Sequence, residues 1–303
     1  MGNRNGKICA VLTTLNPDTT FYSRIRNVAG QVDQTLIIDN HSGEAAVAML
    51  YELDNTPGIS VIFNDRNRGV AAAFNQGFAW AAEHDCNWVL LLDQDTAVSD
   101  NLVDALFSCH EYADSNRDVG VVGANFLNTF TGLPFVRVEC GGARYAEVKT
   151  VISAGSLIST EAFKRIGPFR DEFFIDFVDI EYCLRARAKG YKVMLIKEPL
   201  MRHNIGAAGP HRILGRTTAS SNHSPARRYF MMRNNVVVIR EYIFIDPVWA
   251  TASVIIRLKS LILMCLFENQ RLLKAKYTLL GLIDGLFNKF GRPICLEADK
   301  DCK

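Results

Sequence analysis

At 303 residues, with 49% hydrophobic and 22% charged side chains, the chain has an ordinary globular composition and can bury one large core or two modest ones. A formal net charge of +2 gives no general pull toward nucleic acid, so nucleic acid is excluded as a partner and any polyanion contact must come from local patches. The eight cysteines form no Cys-x-x-Cys pair, and several sit in apolar runs such as Ile8-Cys9-Ala10-Val11, which favours free thiols in a reducing cytoplasm over a disulfide framework.

Met1-Gly2-Asn3-Arg4-Asn5-Gly6 leads into a short strand without the apolar stretch of an export signal, and Gly6 stands where a myristoylation signal needs Ser or Thr. The expectation is a cytoplasmic protein. Residues 1–125 then alternate strand-like and helical runs, the pattern of a parallel sheet covered by helices. Strands are predicted at 7–13, 34–39, 59–64, 88–92 and 119–124, and helices at 19–28, 45–54, 70–84 and 100–115. This is a nucleotide-binding kind of half. From 126 to 224 the strands shorten, at 136–140, 151–158 and 192–196, and helices are predicted at 161–166 and 180–189 around an acidic loop. That stretch reads as an acceptor-binding half of the same domain.

Residues 225–303 are helical in character. The run 248–267 approaches membrane-spanning length, but Arg257 and Lys259 lie in its middle, at roughly 2.5–3.5 kcal/mol each near a bilayer centre, which disfavours a span. Across 248–292 the bases Arg257, Lys259, Arg271, Lys274, Lys276, Lys289 and Arg292 face only Glu268 and Asp284, with Trp249 and many aliphatic side chains between them. The mixture suits helices lying in an anionic interface, a peripheral membrane contact; the alternative is helices that complete the core or form a homo-oligomer contact.

The most informative stretch is Trp88-Val89-Leu90-Leu91-Leu92-Asp93-Gln94-Asp95, a buried strand that stops at two carboxylates spaced i, i+2. Open α/β sheets bind ligands at that end of their strands. Two carboxylates there suit a hard divalent cation, Mg²⁺ or Mn²⁺, that also holds a diphosphate. Spacing alone carries little, since Asp299-Lys300-Asp301 repeats it in a polar tail.

If the sheet is parallel, further segments converge on the same edge. Thr13-Thr14-Leu15-Asn16-Pro17 follows the first strand and Asp39-Asn40-His41-Ser42 the second. Asp39 can accept from the imide N–H of a uracil or thymine ring, or simply cap a turn. Asn64-Asp65-Arg66-Asn67-Arg68-Gly69-Val70 opens a helix whose N-terminus can take phosphate, with charge added by Arg68, although any strand-to-helix turn favours Asn and Gly. In Phe173-Phe174-Ile175-Asp176-Phe177-Val178-Asp179-Ile180-Glu181, carboxylates interleave with aromatics; Asp179, at a helix start, is a candidate general base or an N-cap. In Ser224-Pro225-Ala226-Arg227-Arg228-Tyr229-Phe230-Met231-Met232-Arg233-Asn234, Tyr229 and Arg233 are i, i+4 neighbours. With Arg228 they offer a stacking ring and fixed cations to a diphosphate, or a surface salt-bridge face.

These segments, with Ser153-Ala154-Gly155-Ser156 and Asp179-Ile180-Glu181-Tyr182-Cys183-Leu184-Arg185, occur in the order seen in glycosyltransferase family 2, a resemblance covering residues 7–245. Within it the Asp-Gln-Asp form, the Phe-Phe-Ile-Asp-Phe-Val-Asp-Ile-Glu-Tyr stretch and the later Arg-His-x-x-Gly and Ser-Pro-x-Arg-x-Tyr-x-x-x-Arg-Asn sequences resemble bacterial rhamnosyltransferases of O-antigen and other polysaccharide synthesis. The resemblance implies a GT-A fold, a Rossmann-like, mostly parallel mixed sheet flanked by helices with a helical C-terminal extension. It implies an inverting, metal-dependent transfer from a nucleotide-sugar donor, foremost dTDP-L-rhamnose, to a polyprenyl-diphosphate-linked glycan at the inner face of the bacterial plasma membrane.

Carried over by position, Asp39 contacts the base with Thr13 and Asn16 nearby, and Asn67 and Arg68 lie toward the diphosphate. Asp93 faces ribose and metal, Asp95 and His203 complete the metal site, and Asp179 deprotonates the acceptor hydroxyl. Val178 replaces the first acid of the family's Glu-Asp pair, which opens Glu181 or Asp176 as substitutes. Competing readings are a transferase for a UDP-sugar such as UDP-galactofuranose and a noncatalytic membrane-associated sugar-binding scaffold. A nucleotidyltransferase would carry a Gly-rich basic signature after its first strand, where this chain has Leu12-Thr13-Thr14-Leu15-Asn16-Pro17.

Overall fold

The computed structural model describes residues 6–113, 119–129, 132–137, 142–203, 209–213, 216–220 and 222–291. Residues 1–5, the end of the predicted strand 136–140, Arg292 and the Asp299-Lys300-Asp301 repeat lie outside the described residues. The chain forms two compact units, residues 1–171 with 179–204, and residues 172–178 with 205–303.

The first unit is built on one mixed sheet. Its strands and helices in chain order are β1 (Lys7–Thr14), α1 (Phe21–Ala29), β2 (Gln34–Asp39), α2 (Glu44–Asp54), β3 (Ile59–Phe63), α3 (Val70–Glu83), β4 (Cys86–Asp93), β5 (Ala97–Val98), α4 (Leu102–Ala113), β6 (Val119–Asn128), β7 (Tyr145–Glu147), β8 (Ser156–Ser159), α5 (Thr160–Ile166), α6 (Val178–Ala188) and β9 (Lys192–His203). The strand order is β3-β2-β1-β4-β8-β6-β9-β5, with β7 also paired to β9. Strands β1 to β4 are mutually parallel, while β8 runs antiparallel to β4 and β6. Ile8, Val11, Leu36, Ile38, Leu90 and Leu92 are buried at their centre, because helices cover both faces and a strand so enclosed has no polar side. Helix α3 lies so close that a Cβ on Gly77 would sit 2.4 Å from Val11 Cγ1.

Several strands depart from the expected bounds; β6, expected to end at 124, runs on to Asn128. Residues 136–137 form no strand; the Val136 N–H and C=O pair instead with the Asn125 side-chain amide, at 3.0 and 2.7 Å. The strand expected over 151–158 begins only at Ser156, because Gly155 turns the chain at φ +77°. β9 runs on past the expected end at 196 to His203, through Pro199; a register irregularity opposite Asn125 accommodates the proline, which has no N–H to give the ladder.

The second unit contains a hairpin that periodicity did not suggest, β10 (Gly209–Ile213) against β11 (Arg216–Ser220), and three helices, α7 (Pro225–Tyr242), α8 (Pro247–Phe267) and α9 (Arg271–Leu286). Ser224 and Asp246 cap α7 and α8 by accepting from Arg227 N and Trp249 N, each with Pro at the first helical position. α7 and α9 pack backbone to backbone: a Cβ on Gly281 would fall 2.4 Å from Tyr229 O, and one on Gly285 2.7 Å from Arg233 O. Ala226, Tyr229, Phe230 and Tyr277 form the core between them.

Candidate active site at the strand ends

The sheet register places the predicted site residues in one row. Thr14 of β1 is paired with Asp39 of β2, and Thr13 with Asp93 of β4, so two carboxylates flank the carboxyl end of β1 about 10 Å apart across two strand spacings. Asp39 is buried, its Oδ2 accepting from Ser42 N at 2.9 Å and its Oδ1 from the Ser42 hydroxyl. Ser42 in turn accepts from Asn16 N at 2.7 Å, and Asn16 Oδ1 accepts from Gly43 N at 2.8 Å, with Asn16 itself at φ +50°. The two loops are thereby latched together. A carboxylate oxygen has a second lone pair, so Asp39 retains capacity to accept from a ligand N–H.

Gln94, the residue between the two acids, braces the same edge: its Oε1 accepts from Leu15 N and its backbone O from Arg24 Nε, both at 2.8 Å. Asn67 caps locally by accepting from Gly69 N at 2.9 Å. Arg68 is exposed and pairs with Asp65 at 3.0 Å, beside the start of α3, where no side chain caps the first turn. An inner set links these loops: Asn40 Oδ1 accepts from Asn64 Nδ2 at 3.0 Å and from Arg68 N at 3.3 Å.

His203 reaches the acids by sheet pairing. β5 runs antiparallel to the end of β9 with Ala97 opposite Arg202, which sets His203 beside Thr96. His203 Nδ1 lies 3.2 Å from Asp95 Oδ1 and 3.3 Å from Thr96 Oγ1, and its Nε2 lies 3.9 Å from Asp93 Oδ2. The Phe126 ring packs edge-on against the imidazole, centroids 5.5 Å apart. One ligand atom from each of Asp93, Asp95 and His203 falls within 4.8 Å of the others. Two carboxylate oxygens and an imidazole nitrogen at that spacing fit a divalent cation with coordination positions left for a substrate. Thr96, which sequence reasoning missed, holds the imidazole.

Asp179, in the first turn of α6, accepts from Ser153 N at 3.1 Å and Ile180 N at 2.8 Å. Two residues on, Gly155 N donates to Leu91 O at 2.9 Å, two residues before Asp93. Asp179 is thus tied to the same end of β4. The two alternative acids are engaged by arginines: Glu181 takes Arg185 Nε and Nη2 at 2.9 and 3.0 Å, and Asp176 takes Arg227 Nε and Nη2, both at 3.0 Å. Neither is presented as a base.

The expectation that Arg228, Tyr229 and Arg233 meet a diphosphate is corrected by their placement inside the second unit. All three are buried. Arg228 pairs with buried Glu268 and donates to Ser260 Oγ at 2.8 Å; Tyr229 OH donates to Asp284 at 2.8 Å. Arg233 donates to the carbonyls of Glu172 at 2.6 Å and Gly291 at 3.1 Å. The i, i+4 reading of the helix face holds, with the Arg233 guanidinium 5.5 Å from the Tyr229 ring centroid, but that face points into protein.

Comparison with known proteins adds three findings. The family model described as glycosyl transferase family 2 matches residues 9–167. A Shigella flexneri protein described as dTDP-rhamnosyl transferase RfbF is 27% identical over 295 residues, covering 93% of this chain and 96% of its own. Among solved structures, GalNAc-T7 with UDP, GalNAc and Mn²⁺ superposes with a TM-score of 0.59 at 14% identity, over 78% of this chain and 48% of that one. S. aureus TarS 1-349 in complex with UDP-GlcNAc superposes with a TM-score of 0.54 at 16% identity, over 77% and 66%. The chain thus spans about half of the GalNAc-T7 chain, and these two likenesses concern the fold, a mixed α/β sheet of GT-A type.

Proposed function

Because the chain belongs to glycosyl transferase family 2 and is a glycosyltransferase, we propose that it moves L-rhamnose from dTDP-L-rhamnose, with inversion, onto a polyprenyl-diphosphate-linked glycan acceptor in cell-surface polysaccharide synthesis. One observation carries the donor: likeness to a dTDP-rhamnosyl transferase runs along 93% of the chain, through the second unit as well as the family span. Acting on a lipid-linked glycan, the enzyme works in the cytoplasm at the inner face of the plasma membrane.

In this reading Asp39, latched by Ser42, accepts from the thymine imide N–H, and Thr13 and Asn16 line the base. Asn67 shapes the turn into α3, and Arg68 adds positive charge toward the diphosphate. Asp93, Asp95 and His203 would hold Mg²⁺ or Mn²⁺, with Asp93 shared with the ribose; the ion, when bound, supplies charge stabilisation for the departing diphosphate. Asp179 takes the proton of the acceptor hydroxyl as its oxygen attacks the anomeric carbon, while the bond to the diphosphate oxygen breaks on the opposite face. Hydrogen bonds from Ser153 N and Ile180 N fix the carboxylate's orientation.

A panel of dTDP- and UDP-sugars with Mg²⁺ or Mn²⁺, scored by nucleoside diphosphate release with and without acceptor, tests the donor. Turnover confined to UDP-sugars overturns rhamnose. No turnover, and no melting shift with dTDP or UDP plus Mn²⁺, favours a noncatalytic scaffold.

A further inference from the structure

The helix α8 is amphipathic in the reverse sense from a soluble protein's surface helix. Its inward stripe follows Ala250, Ser253, Arg257, Ser260 and Met264, a 3-4-3-4 spacing that marks one face. That stripe is polar where it meets the rest of the second unit. Asn235 Nδ2 donates to Ser253 Oγ at 2.6 Å, Arg228 to Ser260 Oγ at 2.8 Å, and the Arg257 guanidinium lies 5.4 Å from the Phe177 ring centroid. The outward face carries Val248, Ile255, Leu258, Ile262 and Leu266, each more than half exposed. Phe244, at 95%, and Leu272, at 89%, extend the same kind of exposure to both ends of the helix. Only 17% of the most apolar stretch of α8 is buried.

Charge distribution identifies what covers this face. Lys259, Arg271, Lys276 and Lys289 are exposed along α8, α9 and the segment after it. The two acids between 247 and 291 are spent internally: Glu268 is buried between Arg228 and Lys274, and Asp284 accepts from Tyr229. A second copy docking through this face would bring the same four bases against themselves, with no exposed acid among the described residues 247–291 to meet them. An anionic lipid surface meets them all, with the aliphatic face entering the acyl boundary and Lys259 extending its stem along it toward the headgroups.

We propose that α8 and α9 seat the protein on the anionic interface of a phospholipid membrane, with α8 lying in the plane of the bilayer. A spanning orientation is disfavoured because the inward stripe is joined to α7 through Ser253 and Ser260 by hydrogen bonds that lipid would have to replace, and because it carries the charge of Arg257. The proposal rests on the surface of the second unit and is independent of the donor or the transfer reaction.

The test is flotation of the full chain with vesicles of phosphatidylcholine alone and of phosphatidylcholine with phosphatidylglycerol, beside sedimentation velocity of the lipid-free protein. Binding to the anionic vesicles is expected, falling about tenfold or more in an Ile255→Asn, Ile262→Asn double variant. A weaker loss, greatest at low salt, is expected in a Lys259→Gln, Lys276→Gln variant. Both changes lie on exposed positions, and an unaltered melting curve verifies the fold. Failure to float with anionic vesicles overturns the proposal, as does a solution dimer that the Ile255→Asn, Ile262→Asn change dissolves. Equal binding to neutral vesicles overturns the anionic requirement.

Discussion

Replacement of Asn234 by Ala is expected to loosen the loop that leads into the proposed base. Residues 172–178 hold three non-glycine residues in the left-handed region, Phe174, Asp176 and Phe177 at φ +63°, +62° and +63°. Such backbone costs about 1–2 kcal/mol per residue, so about 3–6 kcal/mol must be offset by the surroundings. Asn234, fully buried, supplies a large part: its Nδ2 lies 2.9 Å from the carbonyl oxygens of Phe173, Ile175 and Asp176, and its Oδ1 accepts from Arg233 Nε at 3.0 Å. Truncation removes both amide N–H donors, and each buried carbonyl left without a partner costs about 1–3 kcal/mol. A loss of about 2–6 kcal/mol in urea unfolding follows, since the two N–H groups are shared among three acceptors and cannot be counted three times. Val178 joins the loop directly to Asp179, so kcat should fall more than KM for the donor rises. Asn234→Asp, of equal size but with a carboxylate facing three carbonyls, should be at least as damaging. Unchanged unfolding and unchanged kcat in Asn234→Ala would refute the reasoning.

Other substitutions separate chemistry from stability. Asp179→Asn should lower kcat by about 10²–10⁴-fold with little change in melting temperature, the range of a lost general base. Asp95→Asn should nearly abolish transfer and shift the Mn²⁺ titration upward, and full activity in either variant would sink its assigned role. Glu268→Ala leaves Arg228 and Lys274 buried without their shared counter-charge, a cost of about 3–5 kcal/mol, read as lowered stability in the absence of any substrate. His223 is buried, and desolvation, aided by Arg227, pushes its pKa down to about 4 from the ordinary 6.5. The unfolded chain therefore protonates first: stability from neutral His223 is whole above about pH 6.5 and is lost as pH falls toward 4, up to about 3 kcal/mol. His223→Gln should flatten that acid limb of the stability profile, and a wild-type profile level between pH 6.5 and 4 would contradict the placement.

What sequence reveals here is set by range. β1, β2 and β4 were legible because each carries an apolar run enclosed on both faces, and the polar residues ending those runs, Thr13, Asp39 and Asp93, fall together once the strands are parallel. The approach of His203 was not legible from pattern, since it depends on a two-residue strand pairing with the end of β9 about a hundred residues later, past a proline that reads as a stop. Only the family resemblance pointed to it. Tyr229 and Arg233 were set on one helix face, but a 3.6-residue period gives the face and not the direction it looks. The signal that could have settled it lies in α9, where Gly281 and Gly285, four apart, allow the backbone of α7 to approach.

The same ambiguity bears on α8, where direction changes the physical conclusion. Counted from sequence, Arg257 and Lys259 both weigh against a membrane-spanning helix. In the structure Arg257 lies on the inward stripe over Phe177, so its charge is no cost to an in-plane helix, and Lys259 alone remains on the apolar side with a stem long enough to reach the headgroups. A surface helix in water hides its aliphatic face because that lowers the free energy by about 25 cal/mol per Å². α8 instead turns Ser253 and Ser260 inward and Ile255, Leu258 and Ile262 outward, an arrangement whose free energy is low only when the medium outside that face is not water.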